Sequence, residues 1–458
     1  MVFFETILAN TWNRLMRLGD QRLTGGLDLG KMVIDRRTSK KHFYIPHIKR
    51  AEHMVVLGKT GSGKTRLLLR MCMQDIKAGR GFVFFDHHGD TIPLLLAAIA
   101  AEEKRAGTDL SKQLVVIDPS DPDWSIGLNI LEPSGRDPFV DVVSTTTILK
   151  DRWGLSSFGA PTEELLRNSL YALCQSRKTL VELGPFLMDS AFRAQCLKHV
   201  SNPDIREYFK LRFEPLSEAY KAVKRDPVLN KAAEFTTDPH FRHIIGQEKS
   251  TVDLLDCFDS GKWVLVNLNK GRLGRHSSTL GSLILGQIRQ QVFRRRTRQI
   301  FTLYCDEIQN LLAQDSGIDV LFAEARKFAV SLTTTNQFLD QFPKDIRSAI
   351  QAIGSHIFFQ VSSDDASTAA SMLDGGKALA ELLKNLPKRN CIAKTGHYKY
   401  RQVEIPPVEI PKVSFSDLLQ RSRAFYARRR SDIEADIRSR RPKTLTGNAK
   451  EEVLREWE

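Results

Sequence analysis

Long apolar runs are what this 458-residue sequence most conspicuously lacks. Nowhere do about 18 uninterrupted apolar residues occur, so no helix that spans a bilayer is expected. The opening segment "MVFFETILANTWNRLMRLGDQRL" has an apolar side (Phe3, Phe4, Ile7, Leu8, Trp12, Leu15, Met16), but Glu5, Asn10, Asn13 and Arg14 interrupt it. It has neither the basic start nor the small-residue cleavage site of a signal peptide, and reads as an amphipathic helix packed on the protein or lying on a membrane surface. Cysteine is sparse too. Cys72, Cys174, Cys196, Cys257, Cys305 and Cys391 are far apart, with no C-x-x-C. A disulfide framework or short zinc motif is therefore not expected, and the thiols read as reduced and buried, as in a cytosolic protein. Internal repeats are also missing, which argues against a solenoid or propeller.

What is present is enough hydrophobic material for a large core, 41% of residues, and an excess of positive charge. The 68 Lys and Arg against 54 Asp and Glu give a formal charge of +14. That favours a polyanionic partner, nucleic acid or an acidic membrane surface, without choosing one.

Short apolar runs at Met54–Leu57, Phe82–Phe85, Leu114–Ile117, Trp263–Asn267, Phe301–Cys305, Ala329–Thr333 and His356–Phe359 read as buried strands. Helical patterns follow several of them, at Lys64–Ala78, Thr91–Lys104 and Ser278–Arg294. Such alternation predicts an α/β fold, a mainly parallel sheet with helices on both faces. Four parts are expected: a lead-in over 1–50, a core over 51–139 and 250–400, an all-α insertion over 140–249, and a basic helical tail over 413–458. In the tail, Ser414–Arg441 reads as one long helix stopped by Pro442. Between Arg421 and Lys443 it carries nine basic residues against three acidic ones, either a solvated helix face or a contact patch.

The segment "GKTGSGKT" satisfies G-x-x-x-x-G-K-[ST] between a predicted strand and a predicted helix. Gly58, Gly61 and Gly63 let the backbone, with Thr60 and Ser62, wrap around phosphate oxygens at a helix N-terminus. Lys64 is placed for the β- and γ-phosphates of ATP, Thr65 for Mg²⁺, and Arg66 follows on the helix. A second carboxylate is needed at the end of another buried strand, and "YCDEIQN" supplies it. Asp306 can hold Mg²⁺ through its water shell, and Glu307 can polarise an attacking water, so hydrolysis is favoured. Gln337, in "LTTTNQ", is placed for the γ-phosphate or that water. In "FFDHHGD", Asp86, His87, His88 and Asp90 cluster after a strand; no third ligand at metal spacing accompanies them, and a nucleotide-side or hydrogen-bonding role is the better reading.

Taken together, "VVLGKTGSGKT", "FVFFDHHGD", "GLNIL", "PTEELLRNSL", "NLNKGRLG", "YCDEIQN", "AEARKFAVSLTTTNQ" and "SDDA" resemble, in order, the HerA/FtsK superfamily. More narrowly they resemble its type IV secretion coupling-protein branch, which serves conjugative DNA transfer. The resemblance implies a RecA-like ATPase motor with an all-α insertion, assembled as a hexameric ring that moves DNA. It also implies that Arg326 in "ARK" reaches the neighbouring subunit's γ-phosphate. Candidate DNA contacts are Lys270, Arg272 and Arg275; the cluster Arg294, Arg295, Arg296 and Arg298 at a helix end reads as structural. Single- and double-stranded DNA remain equally open. Partners implied are other copies of the chain, a relaxase and secretion components, with a cytoplasmic protein recruited to the inner membrane face by a partner. Two other readings stand beside this one: a HerA-like translocase working with a nuclease in repair or phage defence, and a nucleotide-switched scaffold that barely hydrolyses. The sequence departs from the coupling-protein pattern in having no membrane span and in carrying Gln360 where many relatives have arginine.

Overall fold

The computed structural model describes residues 26–135, 137–153, 159–312 and 318–442. The amphipathic segment at residues 1–23 and the tail from Lys443 onward lie outside the described residues.

An eleven-stranded sheet organises the chain. Its centre is seven parallel strands in the order β10 (Ser355–Phe358), β3 (Met54–Leu57), β9 (Val330–Asn336), β8 (Phe301–Cys305), β4 (Phe82–Asp86), β7 (Trp263–Asn267) and β5 (Leu114–Ile117). These strands are buried on both faces, which is why most read as largely apolar runs; β9, VSLTTTN, is the polar exception. Alternate residues feed separate cores: Val55 and Leu57 join the layer that includes the His276–Val292 helix, while Met54 and Val56 join the layer of the Lys64–Lys77 and Ile92–Ala106 helices. The α/β expectation, mainly parallel with helices on both faces, holds, and the fold is of the RecA-like P-loop class.

Four antiparallel strands extend the sheet beyond β10: β11 (Asn390–Thr395), β12 (Arg401–Glu404), β1 (Leu27–Ile34) and β2 (Arg37–Ile45). The stretch read as a turn-rich lead-in thus forms a hairpin that joins the sheet. Asp35 and Arg36 close it with φ of 49° and 62°, a turn with two left-handed residues and no glycine.

From Pro138 to Ile245 every described element is helical. The tail is not one helix. It forms two, Ser416–Tyr426 and Arg430–Ser439, separated by β13 (Arg428–Arg429), which pairs with β6 (Trp124–Ser125). Packing overrides helix propensity there: Leu418 is buried on one layer, Ile433 and Ile437 on the other, and the chain must turn between them. Arg421 bonds Glu103 (2.6 Å) and Asp109, and Arg423 bonds Asp121, so much of the tail's basic charge is paired with the core. Among the described residues no helix is long and apolar enough to cross a membrane.

Candidate active site

The loop after β3 wraps at the carboxyl end of the sheet. Gly61 has φ of 74°, and a side chain at Gly58 would place Cβ 2.6 Å from Cβ of Phe359, so both positions require glycine. Gly63 caps the Lys64–Lys77 helix without a side-chain bond, leaving its first N–H groups for phosphate. The Lys64 ammonium is buried and donates to the carbonyls of Gly58 (2.6 Å) and Lys59 (3.1 Å). Burial lowers its pKa, and the nearby carboxylates of Asp306 and Glu307 counter this. Thr60, Gly61, Thr65 and Arg66 are exposed along the loop and the helix start, whereas Ser62 is buried.

Asp306 and Glu307 follow β8, beside the P-loop. The Thr65 hydroxyl donates to Asp306 Oδ2 at 2.9 Å. Asp306 is buried, which raises its pKa, and the Thr335 hydroxyl donates to its other oxygen. Hydroxyl and carboxylate oxygens together suit a hard divalent cation such as Mg²⁺. Glu307 stands in a left-handed conformation, φ 53°. Its N–H donates to Thr335 Oγ1 (3.0 Å), while Gln337 Nε2 and Asn310 Nδ2 each donate to its carboxylate at 3.1 Å. His88 Nε2 lies 3.3 Å from the same carboxylate. Burial alone would raise the Glu307 pKa; the amide of Gln337, the charge of His88 and the amide of Asn310 more than offset it, and the carboxyl stays below its ordinary value. The structure therefore gathers Lys64, Thr65, Asp306, Glu307 and Gln337 into one site, with Gln337 on Glu307.

Arg326 is not in that group. It lies in a short helical turn, Ala325–Phe328, before the amino end of β9. Its side chain is 63% exposed, and the guanidinium pairs with Glu52 at 3.1 Å. Glu52 precedes β3 and the P-loop follows it, so a strand length, about 13 Å, separates Arg326 from its own P-loop. Strand β9 starts at Val330 rather than Ala329, which is left-handed, φ 54°.

Lys270, Arg272 and Arg275 are exposed on the loop after β7 and the short helix that follows. The Lys270 N–H donates to the carbonyl of His87 at 2.9 Å, joining this loop to the one that carries His88. Arg295 is buried and its guanidinium donates to the carbonyls of Phe328, Ala329, Phe258 and Gln299, a structural role.

The "DHHGD" cluster divides its labour. Asp86 is a clasp, accepting backbone N–H bonds from His88, Gly89, Thr91 and Ile92 at 2.8–3.1 Å. His87 is buried beside Ser277 Oγ (3.2 Å), and burial lowers its pKa to about 4. Among the described residues no group of three or more His, Cys, Asp or Glu could hold a metal ion.

Sequence reasoning missed Thr335, Asn310 and the contact of His88 with Glu307. The run "TTTN" in a fully buried strand was the available signal, since buried polar groups demand partners. It also missed Arg389, left-handed at φ 62°, whose N–H donates to the Ser62 carbonyl at 3.0 Å. The Gln360 backbone carbonyl accepts the Lys59 N–H at 2.7 Å, and its Nε2 donates to the Lys384 carbonyl.

Comparison with known proteins agrees with this architecture. Residues 28–147 match the family "Helicase HerA, central domain". The fold is similar to that of the plasmid coupling protein TrwB in complex with the non-hydrolysable GTP analogue GDPNP. That match has a TM-score of 0.56 and 16% identity, and covers 86% of this chain and 98% of the other. TrwB in complex with ADP and Mg²⁺ superposes with a TM-score of 0.54 at 15% identity, over 86% of this chain and 98% of that one. VirB4 of Thermoanaerobacter pseudethanolicus is similar with a TM-score of 0.55 at 14% identity, over 84% and 97%. Among curated proteins there is no match.

Proposed function

From the match of residues 28–147 to the HerA central domain and the RecA-like fold around the P-loop, we propose a ring-forming, ATP-driven DNA translocase. Its process is conjugative transfer through a type IV secretion system, as a coupling-protein-like motor. The observation that carries this reading is the separation of Arg326 from its own P-loop while Lys64, Thr65, Asp306, Glu307 and Gln337 converge.

ATP would lie in the loop from Gly58 to Arg66, with Lys64 exchanging its carbonyl partners for the β- and γ-phosphates. Thr65 and Asp306 would hold Mg²⁺, which supplies charge neutralisation at the phosphates. Glu307, kept ionised, accepts a proton from the attacking water, and Gln337 holds the carboxylate in place. Arg326 acts in trans. A neighbour's γ-phosphate is then its partner, and Glu52, already paired with Lys49, can share Arg326 with it. A guanidinium has five N–H donors, so one can stay on Glu52 while others reach phosphate.

Movement follows from the tie between His87 and Lys270. A change at Glu307 reaches His88, and the hydrogen bond from Lys270 to His87 passes it to the neighbouring loop, whose exposed cations Lys270, Arg272 and Arg275 would grip DNA phosphates in the ring's channel. The helical region serves as the docking surface for a relaxase or other cargo, and a partner holds the motor at the inner face of the membrane. The HerA match supports a second reading, the same motor paired with a nuclease in repair or defence.

ATP hydrolysis measured with and without DNA, across protein concentration, tests the proposal. The expected result is stimulation by either single- or double-stranded DNA and a concentration threshold for turnover. A slow rate indifferent to both would favour the nucleotide-switched scaffold instead.

A further inference from the structure

A second cluster of arginines sits far from the P-loop in the chain, where the Pro239–Ile245 helix meets the C-terminal Arg430–Ser439 helix. An open groove of about 690 Å³ lies there. Four of its lining residues are Arg242, Arg430, Arg438 and Arg441, and its one acidic side chain is Glu434. That carboxylate is already engaged by Arg242 Nε (3.1 Å), Arg438 Nε (3.2 Å) and His243 Nε2 (3.4 Å). Four guanidinium groups therefore line the groove against one carboxylate, with Asp118, Asp121, Asp123 and Asp238 lying behind Arg430.

The donors are fixed but incompletely used. Arg242 is only 7% exposed; Nη1 donates to the Thr236 carbonyl at 3.0 Å, and Nη2 has no partner. Arg430 donates through Nη2 to the Pro119 carbonyl at 2.6 Å, and its buried Nε has none. His243 Nδ1 is likewise buried and unbonded. Arg441 makes no side-chain hydrogen bond or ion pair among the described residues. An unsatisfied N–H on a buried charged group is costly, and two such groups, Arg242 Nη2 and Arg430 Nε, belong to side chains that line one groove. Rigid, anchored guanidinium groups with free N–H donors match the tetrahedral oxygens of phosphate better than any other common anion.

We propose that this groove is a phosphate-binding site, independent of the P-loop, for either a small phosphate compound or the backbone of a nucleic acid strand. The full-length Lys64→Ala chain, with its P-loop grip weakened, is titrated with inorganic pyrophosphate by calorimetry. Binding is expected, and the added pair Arg438→Gln and Arg441→Gln should weaken it at least about tenfold, as the loss of charge-assisted bonds implies. Both side chains are exposed, so the fold should stand, and an unchanged circular dichroism melt verifies it; Arg441→Gln alone serves if the pair unfolds. A 20-nucleotide single strand then separates the sources. If it displaces pyrophosphate, and the variant lowers the slope of affinity against salt by about two, the ligand is a nucleic acid backbone. If it leaves pyrophosphate in place, the ligand is a small phosphate compound. Failure of pyrophosphate to bind, or binding that ignores the two substitutions, overturns the site.

Discussion

Thr335 touches both acidic residues of the candidate active site, donating its hydroxyl to Asp306 and accepting the N–H of Glu307. Thr335→Val keeps the shape and removes both bonds. Supporting contacts of this kind typically carry 10–100-fold effects, so kcat should fall by roughly that factor while ATP binding survives. Steady-state kinetics paired with nucleotide titration would separate the two. His88 offers a sharper test through pH. Burial pushes the Glu307 pKa up and its polar neighbours, His88 among them, pull it down below the ordinary value. Glu307 serves as base only when ionised, so activity is lost as pH falls through its pKa. Replacing His88 by alanine removes a favourable charge, raises that pKa, and should shift the acid limb of kcat to higher pH.

The two helices at the C-terminal end bind different layers of the molecule, and their cost of removal is predictable. Ile433 and Ile437 are fully buried, and the Ile437 Cδ1 would lie 2.7 Å from a Cβ at Gly246. Ile437→Ala should cost about 2–4 kcal/mol in denaturant unfolding, as buried truncations do, while Phe425→Ala, at an exposed position, should change little. These helices also show where sequence reading stops. Most of the seven parallel strands were legible because burial on both faces leaves a largely apolar run, and the P-loop because its glycines and lysine act within one short segment. The break at Ala427–Arg429 carries no glycine or proline; it is fixed by pairing with Trp124 and Ser125, some three hundred residues earlier, and by Arg429 stacked 4.9 Å over the Trp124 ring. The β1–β2 hairpin hid for a related reason, since its turn uses Asp35 and Arg36 in place of glycine and only Leu27, Leu29, Phe43 and Ile45 mark its buried side. Thr335 was invisible because its partners are assembled by the sheet, not by neighbours in sequence.

At the scale of the whole molecule the proposed function depends on a site divided between subunits, and that division can be tested by mixing. A Glu307→Gln subunit has a dead site but an intact Arg326; an Arg326→Ala subunit has an intact site but nothing to lend. Each alone should be nearly inactive: loss of a general base costs about 10²–10⁴-fold and loss of an arginine finger about 10³–10⁵-fold. In a ring each interface joins the site of one copy to the arginine of the next, so random mixing in equal amounts creates good interfaces at roughly one in four. Turnover should therefore recover to about a quarter of wild type if sites fire independently, and less if the ring fires in sequence. Glu52→Gln adds a control on geometry. It should lower the rate only modestly, because it removes an anchor of Arg326 without touching the phosphate site. If Arg326 instead served its own fold, Arg326→Ala would keep near-normal turnover alone, and mixing it with Glu307→Gln would simply dilute the activity. ATPase assays on the two single variants and their mixture, at one total concentration above the assembly threshold, distinguish these outcomes directly.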